Sequence, residues 1–87
     1  MKFFAEDSFY IYQHHNEVGC LSKDKFLVEA CIKKEHVIGY TIMAHNARGG
    51  LQYQVYVIFD GGKILLDSFV EEEKAIEFLY SLRKASE

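Results

Sequence analysis

One stretch of nine residues constrains this chain more than any other. Leu51, Tyr53, Val55, Val57 and Phe59 fall on one side of an extended backbone, and Gln52, Gln54, Tyr56 and Ile58 fall on the other. Side chains of a strand alternate between faces, so this pattern describes a half-buried antiparallel strand with its Val-rich side toward a core. A helix would scatter the same residues around its circumference.

Glycine punctuates both ends of the stretch. Asn46-Ala47-Arg48-Gly49-Gly50 precedes it and Asp60-Gly61-Gly62 follows, and each cluster supplies the positive φ that a tight hairpin needs. Upstream, Ile38, Tyr40, Ile42 and Ala44 alternate with Val37, Gly39, Thr41 and Met43, which predicts a strand from about residue 36 to 44. Downstream, Ile64 and Leu66 alternate with Leu65 and Asp67, predicting a return strand over 63–69. Residues 36–69 therefore read as three consecutive antiparallel strands.

A helix is expected to follow, starting within about two residues of Phe69. Ser68 and Glu71 stand in capping-box relation, Glu71, Glu72 and Glu73 suit the positive helix start, and Arg83 and Lys84 suit its negative end. Ala75, Phe78, Leu79 and Leu82 share one apolar stripe. Near the other terminus, Phe9-Tyr10-Ile11-Tyr12 predicts a strand over residues 8–14, with Phe9 and Ile11 on one face and Tyr10 and Tyr12 on the other.

Residues 23–34 read two ways, because the spacing of Lys25, Glu29 and Lys33 fits one side of a helix and one side of a strand. Ser22 as a cap, the Glu29/Lys33 pair and the stripe Phe26, Leu27, Ala30, Cys31 favour the helix; a strand from Phe26 to Ile32 is the alternative. The expected fold is α+β, a two-layer sandwich of order β-α-β-β-β-α with a mainly antiparallel sheet and helices on one face. A strand at 26–32 would add a fifth strand and leave one helix. With 87 residues the chain has room for one core, and residues 1–87 are expected to form one domain.

The expected location follows from what the sequence lacks. No apolar run approaches the roughly 20 residues of a membrane helix, and the N-terminus turns acidic at Glu6 and Asp7 before a signal-peptide core forms, so a cytoplasmic protein is expected. Cys20 and Cys31 form no CxxC and read as reduced thiols. Net charge is −3, and no window gathers Lys and Arg into a stripe that would neutralise phosphates, which argues against general nucleic-acid binding.

Phosphate-binding loops, dinucleotide fingerprints, nucleophile elbows and HExxH or deaminase zinc motifs are missing from the sequence. His14, His15, His36, His45, Cys20 and Cys31 are metal-ligand types without the short paired spacings of zinc sites. No cofactor or metal is expected. Glu71, Glu72 and Glu73 point around different sides of a helix, Asp60 and Asp67 suit turns and caps, and Arg48-Gly49-Gly50 is accounted for by hairpin geometry.

The remaining candidate is the second face of the predicted sheet. Thr41 and Met43 on one strand, Gln52, Gln54, Tyr56 and Ile58 on the next, and Leu65 with Asp67 on the third give a mixed surface of aromatic, Met and Gln character, the composition of a protein interface; Thr41, Met43, Gln54, Tyr56 and Ile58 are its expected contact residues, and Tyr10 and Tyr12 are expected to extend it. The expectation is a protein that works by binding another protein or itself, of the inhibitor, antitoxin, immunity or phage anti-defence kind. A small-ligand or metal-binding domain using the His and Cys set is the alternative, and an ordinary exposed sheet is the plain explanation of the same residues.

Overall fold

The alternating block and its glycine turns form the expected meander. The computed structural model describes residues 1–13 and 28–86. β4 (Val37–Ala47), β5 (Gly50–Phe59) and β6 (Gly62–Phe69) make one antiparallel sheet in that order, here called sheet B. Ala47 pairs with Gly50 and Phe59 with Gly62, so Arg48-Gly49 and Asp60-Gly61 are two-residue turns. Gly50 (φ 121°) and Gly62 (φ 140°) follow those turns in backbone conformations that only glycine enters without strain.

A second antiparallel sheet, sheet A, was only half legible. It consists of β1 (Lys2–Glu6), β2 (Phe9–Gln13) and β3 (Glu29–Lys33), with β2 central. The β1–β2 turn is Asp7-Ser8, and Asp7 adopts φ 54°, a left-handed conformation that Asp tolerates better than most residues. The helix expected over 23–34 is corrected where it can be seen, since 29–33 is a strand paired with β2 and Lys34–His36 is a single 3-10 turn. The rest of that expectation, residues 23–27, lies outside the described residues, as does His14 at the end of the first predicted strand. Ala30 and Ile32 turn inward while Glu29, Cys31 and Lys33 are exposed, which is period two.

The fold is therefore α+β, but the order β-α-β-β-β-α is not the one observed. The described residues hold six strands in two sheets and one α-helix, α1 (Glu72–Ala85). The predicted capping box is not made: Ser68 belongs to β6, the helix begins three residues after Phe69, and Glu71 occupies the N-cap without a side-chain cap hydrogen bond. Glu72 and Glu73 in the first turn, and Arg83 and Lys84 in the last, complement the helix dipole. No helix among the described residues is long and apolar enough to cross a membrane.

α1 lies on the inner face of sheet B. Tyr12, Val55, Val57, Leu66, Ala75 and Leu82 are buried, and Phe3, Tyr10, Ile32, Tyr40, Ile42, Phe69, Phe78 and Leu79 pack around them. Each large member contributes roughly 1.5–3 kcal/mol by leaving water. Both sheets and the helix thus share one core. Leu51, expected in it, is 46% exposed: β6 pairs with β5 only as far as Tyr53, so no β6 residue stands opposite Leu51.

Two bulges set the faces of the outer strands. In β4 the extra residue is Ile38, between the Val37–Phe59 and Gly39–Ile58 pairs; Val37 joins the core and Ile38 is 69% exposed, the reverse of strict alternation. In β6 the extra residue is Leu66, so Leu66 and Asp67 together oppose Val55.

A chain of hydroxyls closes the core. The Tyr12 and Tyr40 hydroxyls lie 2.7 Å apart, Tyr40 lies 3.2 Å from Ser86 Oγ, and Ser86 donates to the Leu82 carbonyl at 2.7 Å. Ser86 has spent its one proton on Leu82, so Tyr40 donates to Ser86 and Tyr12 donates to Tyr40. Tyr10 also donates to the Ser86 carbonyl, at 3.2 Å. Sheet A, sheet B and the C-terminal end of α1 are joined at this point.

Candidate functional site

The outer face of sheet B is assembled by register. On β5, Gln54, Tyr56 and Ile58 point away from the buried Val55 and Val57. Thr41 stands opposite Tyr56, Met43 opposite Gln54 and Gly39 opposite Ile58 on β4; Leu65 stands opposite Tyr56 and Lys63 opposite Ile58 on β6. The five residues singled out from the sequence, Thr41, Met43, Gln54, Tyr56 and Ile58, therefore lie on one continuous surface. The sheet B residues that pack on the core, Val37, Tyr40, Ile42, Tyr53, Ile64 and Phe69 among them, belong to the opposite side.

Tyr56 is held rather than loose. Its hydroxyl donates to Gln54 Oε1 at 2.8 Å, and the Lys63 ammonium sits 4.7 Å from the centre of its ring. The same ammonium reaches Met43 Sδ at 3.5 Å, spanning the sheet from β6 to β4. Met43 is 46% exposed, while Thr41, Gln54, Tyr56 and Ile58 are half-buried. A half-buried tyrosine with a fixed hydroxyl and a cation over its ring offers an apolar surface of low conformational freedom.

Lys63 was missed in the sequence reading, although a signal for it exists. Counting outward from the Asp60-Gly61 turn places residue 63 opposite 58 and diagonal to 56, within reach of a long side chain. Two further corrections apply. Tyr10 and Tyr12 do not extend this face: both point into the core from sheet A, and Tyr12 is 0% exposed. Asp67 is displaced from it by the bulge at Leu66.

Residues weighed for other chemistry are scattered. His36 Nδ1 lies 2.6 Å from Asp60 Oδ2 at the surface, tying the 3-10 turn to the β5–β6 turn beside the Asp60 N–H to His36 carbonyl hydrogen bond of 3.2 Å. His45 is exposed on β4, and Cys31 is exposed on β3 opposite Ile11. His14, His15 and Cys20 lie outside the described residues. Among the described residues no three His, Cys, Asp or Glu side chains gather closely enough to hold a metal ion. Glu71, Glu72 and Glu73 are exposed at the start of α1, and Arg48 is an exposed turn residue.

Burial has one titration consequence. Desolvation, and next the Tyr40 hydroxyl beside it, push the Tyr12 phenol far above the ordinary tyrosine range. Tyr12 is therefore a neutral hydrogen-bond donor at any physiological pH. No protein-family model, no curated protein and no solved structure matches this chain.

Proposed function

We propose that this chain acts by binding rather than by catalysis, taking a protein partner on the outer face of sheet B with Tyr56 as the anchor. The observation that carries the reading is the fixing of Tyr56 by Gln54 and Lys63 at the centre of a surface completed by Thr41, Met43 and Ile58. Tyrosine is enriched among the residues that dominate interface energies, and an anchor already held in place loses little entropy on binding. A cytoplasmic blocker of another protein, of the inhibitor, antitoxin, immunity or anti-defence type, fits the small size and the net charge of −3.

The test compares three versions of the full chain in quantitative capture from cells of its source: wild type, Tyr56→Ala, and Lys74→Ala. Lys74 is exposed on α1, 3.9 Å from Glu77, away from sheet B's outer face. A partner held by wild type and Lys74→Ala should bind Tyr56→Ala at least about thirtyfold more weakly, since truncating a hot-spot tyrosine costs about 2 kcal/mol or more. Equal binding by Tyr56→Ala, or a greater loss with Lys74→Ala, would refute the assignment.

A further inference from the structure

We propose that two copies of this chain pair antiparallel through the edge of β4 that no described strand occupies, joining their B sheets into one six-stranded sheet. The inference starts from a difference among the four edge strands. β1, β3 and β6 each carry charge, Lys2 and Glu6, Glu29 and Lys33, and Lys63 and Asp67 respectively, and they run to five, five and eight residues. β4 is the longest at 11 residues and carries no Lys, Arg, Asp or Glu; its bulge sits at one end, at Ile38. Short length and charge are the usual devices that keep a sheet edge from pairing. Among the described strands, three edges use them and the fourth does not.

Backbone geometry says which groups are on offer. A two-residue hairpin is closed by a hydrogen-bonded pair, here Ala47 with Gly50, and hydrogen-bonded pairs then alternate along the ladder. Tyr40, Ile42, Ala44 and Asn46 fall at the other positions, so their N–H and C=O groups point to the open edge. No described strand pairs with them. Met43, Ala44, His45 and Asn46 are exposed.

The occupant that fits is the same strand turned about a two-fold axis. With the axis at Met43, Tyr40 meets Asn46 of the second copy and Ile42 meets its Ala44. All four outward residues are then used, giving about eight backbone hydrogen bonds; shifting the axis to residue 42 or 44 drops a pair. Larger side chains face smaller ones, and Thr41 faces His45. Each copy has a net charge of −3, and β4 brings no Lys, Arg, Asp or Glu of its own to the contact; the exposed Lys63 ammonium, 3.5 Å from Met43 Sδ, has to turn away from the axis as the two copies meet. The pairing uses the backbone edge of β4; it shares Thr41 and Met43 with the face reading, whose anchor, Tyr56, lies on β5.

Sedimentation equilibrium on the full chain from about 10 μM to about 1 mM tests it. Wild type should pass from 10.1 kDa to twice that mass and stop there, because a two-fold contact closes on itself. Ala44→Pro removes an outward N–H without breaking the β4–β5 ladder and should weaken dimerisation at least tenfold. Should Ala44→Pro fail to fold, Met43→Lys serves: it should be monomeric alone and dimeric when mixed with Met43→Glu. In a Cys20→Ser, Cys31→Ser background, Met43→Cys should cross-link to itself on mild oxidation and Thr41→Cys should not, since only residue 43 faces its own copy. Tyr56→Ala should leave the dimer intact, which separates failure of this proposal from failure of the face reading. A chain monomeric to 1 mM, growth beyond a dimer, or undiminished dimerisation in the folded Ala44→Pro or Met43→Lys protein overturns the proposal.

Discussion

The one-way chain of hydroxyls from Tyr12 through Tyr40 to Ser86 makes an unequal pair of substitutions. Tyr12→Phe deletes the first donor: Tyr40 loses a hydrogen bond it accepted but still donates to Ser86 at 3.2 Å. The expected cost is the net worth of one hydrogen bond, about 0.5–1.5 kcal/mol. Tyr40→Phe removes the acceptor instead. It strands the O–H of Tyr12, whose side chain is 0% exposed, so the expected cost is about 1–3 kcal/mol for a buried unsatisfied donor in addition to the two lost bonds, from Tyr12 and to Ser86. The double substitution removes the stranded donor along with its acceptor, and should cost less than the two singles together by about 1 kcal/mol or more. Urea denaturation of the four proteins measures all three quantities at once, provided the m-values agree. Equal costs for the two single changes, or simple additivity, would refute the direction assigned to the chain of donors and the burial of its first member.

High pH reaches the same group by another route. The folded-state pKa of Tyr12 is raised by burial first and by Tyr40 second, so its contribution is fully present below the unfolded tyrosine value of about 10 and is lost as pH climbs above it; wild type should lose about 1 kcal/mol more than Tyr12→Phe between about pH 10 and pH 11 in isothermal denaturant titrations, and parallel curves would contradict this. Along α1, Leu82 is 1% exposed whereas Leu79 is only partly buried, so Leu82→Ala should cost about 3–4 kcal/mol and Leu79→Ala about half that. Gln52→Ala on the opposite side of β5 should cost under about 0.5 kcal/mol, and a reversed ranking of Gln52 and Leu82 in thermal melts would mean that the core has been placed on the wrong side.

Local signals recovered the meander because its information is local. Alternation through β5, two glycine turns and the apolar stripe of α1 each operate within a few residues, and all three agree with the observed elements. β1 has five residues and too little alternation to stand out, and β3 is ambiguous on its own, since a spacing of four between Glu29 and Lys33 is two strand repeats and also about one helical turn. What decides β3 is its pairing with β2, from Phe9–Lys33 to Gln13–Glu29, and nothing near in sequence announces such a partner. The face positions of Thr41, Met43, Gln54, Tyr56 and Ile58 were legible from period two. The inward turn of Tyr10 and Tyr12 was not, because a second sheet had to exist before their side could be an interior.

The two bulges also give the sheet an uneven tolerance for lost residues. β5 has none: removing one residue from it would reverse every side chain beyond the gap and carry a buried valine to the surface. β4 and β6 each hold a spare. Deleting Ile38 would regularise β4 and keep Val37 and Tyr40 on their present side, giving up only a side chain that is 69% exposed. Deleting Leu66 would equally preserve the facing of Ile64 and Phe69, but would remove one of the largest fully buried side chains. The central strand therefore sets the reading frame of the sheet, one neighbour can be shortened cheaply, and the other can be shortened only at the expense of the core.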